Sequence, residues 1–372
     1  MKKQILFFVS FVFLISSCIQ DEALNPEADI LAITFPVNSL RTEKVEINNE
    51  FIVVYPKKDI DLRDEIDDIE ISVSQGATFQ KIPNSSTNDT IFFIDVTSES
   101  KQYMKRYAVI ESYFQATFDF ENWVKFSTTY GYENPKEGNL QWYSSNNGAA
   151  IAWNNSNKPA DEYLIRKTST AVSGNWAAEL RTMAGPGKIL GGLQNIPCLS
   201  GSLYLGGFNA LTGLSNPLRS TYFGVPFNDG KPTKLTGYYR YKEGTDDYIV
   251  PNPDVPAGYT TDPLRHDTCD IYAVLFKTDA NVQYLYGDNV GSSPNIVAKA
   301  KIRPEDIRTG DHFQYFEINF DYTYLPFSWA ELANDEYKIT IVFASSHRGQ
   351  YYEGRPGNTL IVDQVELHYD TN

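Results

Sequence analysis

Apolar and polar residues alternate in short runs along most of this chain. The runs are separated by glycine, proline and asparagine, a period-two pattern that signals β-strands joined by turns. Between residues 29 and 112 the runs are 30–35, 51–55, 69–73, 91–96 and 107–110. So many short strands in so little chain predict a small immunoglobulin-like sandwich. From 113 to 372 the same alternation continues, and only 329–334 reads as a helical turn. A single larger β-sandwich of the jelly-roll kind is the expected architecture there. The predicted fold class is all-β: an N-terminal immunoglobulin-like sandwich followed by a larger jelly-roll sandwich.

Strand parity assigns faces. Phe316, Ile318 and Phe320 share one side of their strand, which leaves Glu317 and Asn319 on the other. Cys269, Ile271, Ala273 and Leu275 likewise oppose Asp270 and Tyr272, and Tyr239 and Tyr241 oppose Tyr238 and Arg240. If these strands are neighbours in one sheet, its outer face carries acids, an arginine and tyrosines. Near the C-terminus Ile361, Asp363, Val365 and Leu367 share one parity, which puts a carboxylate on an otherwise apolar face, where it needs a partner.

The first residues break the pattern. Lys2 and Lys3 precede an apolar run from Ile5 to Phe13, and Leu14-Ile15-Ser16-Ser17 leads to Cys18. The run is too short to span a bilayer. Residues 1–17 are read as a lipoprotein signal peptide, Cys18 as the lipidated mature N-terminus and 18–28 as a polar tether. Ile19-Gln20-Asp21-Glu22 resembles the acidic export tag of Bacteroidetes surface lipoproteins. The predicted location is therefore the cell surface, lipid-anchored to the outer membrane.

Charge narrows the partners. The chain carries a net charge of −15, and loss of Lys2 and Lys3 moves it to −17, with 30 basic residues against 47 acidic. Such a surface repels phosphate backbones, so nucleic acid is not an expected partner. After Cys18 only Cys198 and Cys269 remain. Export permits a disulfide between them, and two buried thiols account for the same count; the parity of Cys269 favours the latter.

The candidate chemistry is limited. There is no Gly-x-Ser-x-Gly, His-Glu-x-x-His or Cys-x-x-Cys motif. The acidic stretch from Asp59 to Glu70 lacks the glycine of a calcium loop and reads as solvated. Trp142, Tyr143 and Trp153 stand beside Asn146, Asn147 and Asn154, flat apolar faces next to amide groups. That mixture suits sugar rings, with Tyr238 and Arg240 as further contacts; tryptophans in a core and asparagines in turns explain it equally. Asp270 and Glu317 are candidates for a glycosidic acid pair, which needs a separation of roughly 5 to 10 Å, and an ordinary polar sheet surface is the favoured alternative. Asp363 together with Glu121 is the candidate site for a structural calcium ion, and a hydrogen-bonded strand-end carboxylate is the alternative.

Three spaced segments carry a family resemblance. They are Phe118-Asp119-Phe120-Glu121-Asn122-Trp123; Gly224-Val225-Pro226-Phe227 with Leu235-Thr236-Gly237-Tyr238-Tyr239-Arg240-Tyr241; and Ser345-Ser346 through Gly354 to Leu360-Ile361-Val362-Asp363-Gln364-Val365-Glu366-Leu367. Together they resemble the Bacteroidetes family called the putative carbohydrate metabolism domain. The opening and closing segments also look like carbohydrate-binding modules of the galactose-binding sandwich type, in which a structural calcium sits near the terminal strands. The resemblance implies a carbohydrate-related domain and carries over no catalytic residues; the expected function is a surface lipoprotein that captures glycans without cleaving them, alongside partner proteins of a glycan-utilisation system. A glycoside hydrolase using an acidic pair and a structural or adhesin component are the alternatives.

Overall fold

The computed structural model describes residues 24–371 apart from 42–44, 48–50, 58–59, 86–89, 128, 191–193, 211 and 213–215. The signal peptide, Cys18 and Asp59 at the head of the acidic stretch lie outside the described residues.

The apolar runs of the N-terminal part close into two small sheets. One has five strands in the order Glu46–Ile47, Phe51–Val54, Met104–Glu111, Thr90–Thr97 and Thr78–Pro83; the other pairs Ile30–Thr34 with Glu70–Val73. Phe51–Val54 runs parallel to Met104–Glu111 while the other pairs are antiparallel. Ile33, Ile52, Ile69, Phe92, Ile94 and Val109 fill the space between the sheets, the immunoglobulin-like sandwich expected from the alternation.

The larger part is a two-sheet sandwich. Its first sheet has the order Tyr143–Ser144, Ser202–Tyr204, Tyr337–Ala344, Asp270–Lys277 and Ile296–Lys301, with Val225–Pro226 added beside Tyr337–Ala344. The second has the order Ile165–Thr168, Ala177–Ile189, Thr359–Asp370, Lys231–Lys242 and Gln314–Asn319, with Gln194–Ser200 and Thr117–Phe118 paired at its sides. Ile271, Leu275, Ile341 and Phe343 of the first sheet meet Leu235, Tyr239, Leu360 and Val362 of the second in one continuous core.

The motif glycine Gly224 has φ +117°, and a Cβ there would stand 2.5 Å from the Phe276 ring. Only glycine fits there, so packing against Phe276 dictates the residue at this point of the motif.

The helix content exceeds the expected single turn. Trp329–Ala333 is helical as expected, capped by the Ser328 side chain, and Asn146–Trp153 forms a second helix. Asn146 explains it: its amide donates to the Ile165 carbonyl at 2.8 Å and accepts the Ile165 N–H at 2.9 Å, pinning the helix start to a neighbouring strand. Asn-Asn-Gly reads locally as a turn, and a long-range clamp overrides that preference.

Candidate functional site

The outer face of the Tyr143-to-Lys301 sheet is not flat solvent. A cleft of about 670 Å³ lies over it, floored by Tyr272, Val342 and Ala344. Cross-strand register makes the floor: Asp270 faces Ala344, which faces Ser202, and Tyr272 stands between Val342 and Lys301. The walls come from distant segments, including Ile151 of the Asn146–Trp153 helix, Leu190, Phe208 and residues 346–352.

Asp270 sits in this cleft. His347 Nδ1 lies 2.8 Å from its Oδ1 and Lys301 Nζ 3.1 Å from the same oxygen. Lys301 also stands 5.2 Å from the centre of the Tyr272 ring, a cation–π distance.

His347 is delivered by a buried polar clamp beneath it. Asp267 Oδ2 accepts from Ser346 Oγ at 2.7 Å, from Asn358 Nδ2 at 2.8 Å and from the Arg355 N–H at 2.9 Å. Burial pushes the Asp267 carboxyl up, and the Ser346 hydroxyl and the Arg355 N–H oppose the shift. Ser345 Oγ accepts the Gly201 N–H at 3.0 Å and lies 2.7 Å from Thr182 Oγ1. The Ser345-Ser346 motif thus anchors the loop, and the chain emerging from it presents His347 and Arg348 to the cleft. Arg348 is fixed in turn by two contacts to Glu353, at 2.8 and 3.0 Å, and its guanidinium holds the Glu353 carboxyl below the usual carboxylate range.

The other sequence candidates lie elsewhere. Glu317 belongs to the opposite sheet, where the Lys234 ammonium at 3.0 Å holds its carboxyl low. Asp270 and Glu317 therefore face outward from two different sheets and do not form the expected acid pair. Tyr238 and Arg240 share the face of Glu317, with Tyr238 edge-on to Tyr315 at 5.4 Å, and do not border the cleft.

Trp142 is 0% exposed in the core, edge-on to Phe118 at 5.1 Å, so it has no face to offer a sugar. Tyr143 is also buried, stacked on Tyr204. Trp153 is half-buried, with Lys158 Nζ 4.5 Å from its ring, and Asn154 is the left-handed residue that ends the helix. These aromatics and amides are neighbours in sequence because they build one corner of the sandwich.

Glu121 and Asp363 do converge, on one loop. Glu121 Oε1 accepts the N–H groups of Asn175 at 2.8 Å and Trp176 at 2.9 Å; Asp363 Oδ2 accepts those of Val172 at 2.6 Å and Ser173 at 3.3 Å. The Trp176 N–H leads in holding the Glu121 carboxyl low, whereas burial pushes that of Asp363 up. Oxygens already directed at N–H donors do not fit a cation, and among the described residues no group of three or more His, Cys, Asp or Glu could hold a metal.

The parity of Asp363 also differs from expectation. A bulge at Gln364, φ +48°, with a register shift between Thr236 and Tyr238, returns Val365 and Leu367 to the side of Leu360 and Val362. Asp363 consequently leaves the core face. Cys198 and Cys269 are both buried free thiols.

The sequence signal missed His347, Arg348, Lys299 and Lys301. The Lys-Ala-Lys alternation at 299–301 was the available cue to two cations on one strand face, while nothing local ties His347 to Asp270.

Comparison with known proteins accords with this architecture. The family model for the putative carbohydrate metabolism domain matches residues 119–368. A crystal structure described as a putative glycoside hydrolase from Bacteroides thetaiotaomicron is 29% identical, covers 95% of this chain and 100% of its own, and superposes with a TM-score of 0.77. Another so described, from Bacteroides vulgatus, is 30% identical, covers 68% of this chain and 97% of its own, with a TM-score of 0.59. No curated protein matches the chain.

Proposed function

This chain belongs to the family of the putative carbohydrate metabolism domain, and from that premise we propose that the cleft over Tyr272 binds a glycan without cleaving it. The observation that carries the reading is the cleft itself: a concave sheet face with an aromatic floor and a small set of fixed polar groups, Asp270, His347 and Lys301. A sugar ring presents C–H groups to an aromatic face and hydroxyls to charged and imidazole groups.

Cleavage by an acid pair needs two carboxyls free to meet the glycosidic oxygen and the opposite face of the sugar. The two carboxylates lining the cleft are both engaged by basic groups, Asp270 by His347 and Lys301 and Asp288 by Arg219 at 2.8 Å. That arrangement favours binding over hydrolysis.

Native-gel retardation of the full chain by a panel of plant and host polysaccharides tests the reading. Tyr272→Ala is expected to weaken retardation about tenfold, equal to about 1.4 kcal/mol. Reducing-sugar release that disappears in Asp270→Asn would replace the binding reading with a hydrolytic one. Attachment at the outer-membrane surface through Cys18 is the second half of the proposal, supported by residues 1–18 alone. Labelled fatty acid should enter the wild-type protein and not Cys18→Ala.

A further inference from the structure

We infer that the glycan held in this cleft is acidic, carrying carboxylate or sulfate ester groups; the inference rests on the binding reading above. A chain with net charge −15 repels polyanions as a whole, so any attraction must be local. The cleft brings four basic side chains together. Lys299 and Lys301 alternate along Ile296–Lys301 around the buried Ala300, so both project onto the cleft side, and His347 and Arg348 join them from the 346–352 loop.

Three permanent cations, Lys299, Lys301 and Arg348, thus line the cleft against two carboxylates, Asp270 and Asp288. Asp288 is answered by Arg219, Arg348 by Glu353, and Asp270 is shared between Lys301 and His347. Lys299 is left over. Its ammonium donates to the Gly291 carbonyl at 2.9 Å and stands 4.5 Å from the Tyr324 ring, with no carboxylate in ion-pair range among the described residues. The nearest acid by register, Asp321, accepts instead from the N–H and hydroxyl of Thr323. An ammonium has three donors, so Lys299 keeps capacity for an anionic ligand, with Lys301 two residues along the same strand.

The test is native-gel retardation of the full chain in gels cast with polygalacturonate (carboxylate only), dextran sulfate (sulfate only) or the neutral dextran and pullulan. Retardation is expected in at least one anionic gel, weakening with added sodium chloride and falling at least fivefold in the Lys299→Gln/Lys301→Gln double variant at an unchanged melting temperature. The gel that retards identifies the anionic group. Retardation only by neutral polymers would overturn the acidic assignment and leave glycan binding standing; equal retardation of wild type and double variant in the anionic gels would also overturn it. No retardation in any gel would overturn both.

Discussion

His347 Nδ1 and Asp270 Oδ1 lie 2.8 Å apart although 77 positions separate them in the chain. Asp270 sits at the start of the strand Asp270–Lys277, and His347 leaves the end of the neighbouring Tyr337–Ala344, so antiparallel pairing brings the two together. The pair orients the imidazole over the cleft, and the ring nitrogen not engaged by Asp270 is the one left to meet a ligand.

Asp270→Asn keeps the shape of the site and removes its charge, loosening both His347 and Lys301. Affinity for an acidic glycan is expected to rise about tenfold, or about 1.4 kcal/mol, because Lys301 is released from its carboxylate and the cleft loses a repelling charge. Glu317→Gln, on the opposite sheet, is expected to leave affinity within about twofold. Titration calorimetry of both variants with one retained acidic glycan checks the contrast; equal changes in affinity would show that the cleft is not the binding site.

Trp142→Ala acts on the fold. The indole packs among Phe118, Phe120 and Phe343 in the core, so its removal should cost about 3 to 5 kcal/mol of stability. A urea melt measures the loss. A normal melt accompanied by weaker glycan binding would return Trp142 to the site.

Glu137 makes stability depend on pH. Burial pushes its carboxyl from 4.5 up to about 8, opposed by the Phe120 N–H that it accepts at 2.9 Å. Between those values the unfolded chain has released a proton that the folded chain still holds, so stability falls as pH rises through the window. Glu137→Gln stays neutral and can still accept the N–H. Its melting temperature is expected to exceed that of the wild type by several degrees at pH 9 and to match it at pH 4; a difference that does not change between the two pH values counts against this assignment.

Glu121 and Asp363 are expected to act as clasps for the 172–176 loop. Removing either carboxylate by Ala leaves N–H groups unpaired and should cost about 1 to 3 kcal/mol. Excess calcium or a chelator should leave the wild-type melting curve in place. A calcium-dependent rise in melting temperature that either variant abolishes would establish the cation site instead.

Alternation along the chain was enough to specify an all-β fold, because which face of a strand is buried is written at every second residue. Ile271, Ala273 and Leu275 in the core, and Glu317 outside it, followed directly from that parity. The family segments were legible for a related reason: Phe118, Gly224 and Ser345-Ser346 answer to packing and backbone demands that allow few substitutes. Parity failed at Asp363 because a single bulge at Gln364 resets the register, and a bulge is a property of two paired strands. The cleft was decided by tertiary structure alone. Its polar groups come from segments far apart in sequence, joined by strand order and by the Asp267 clamp, and local sequence carries no record of which strands become neighbours. Trp142 and Trp153 looked like a sugar site for the same reason in reverse, since proximity along the chain does not say which face meets water.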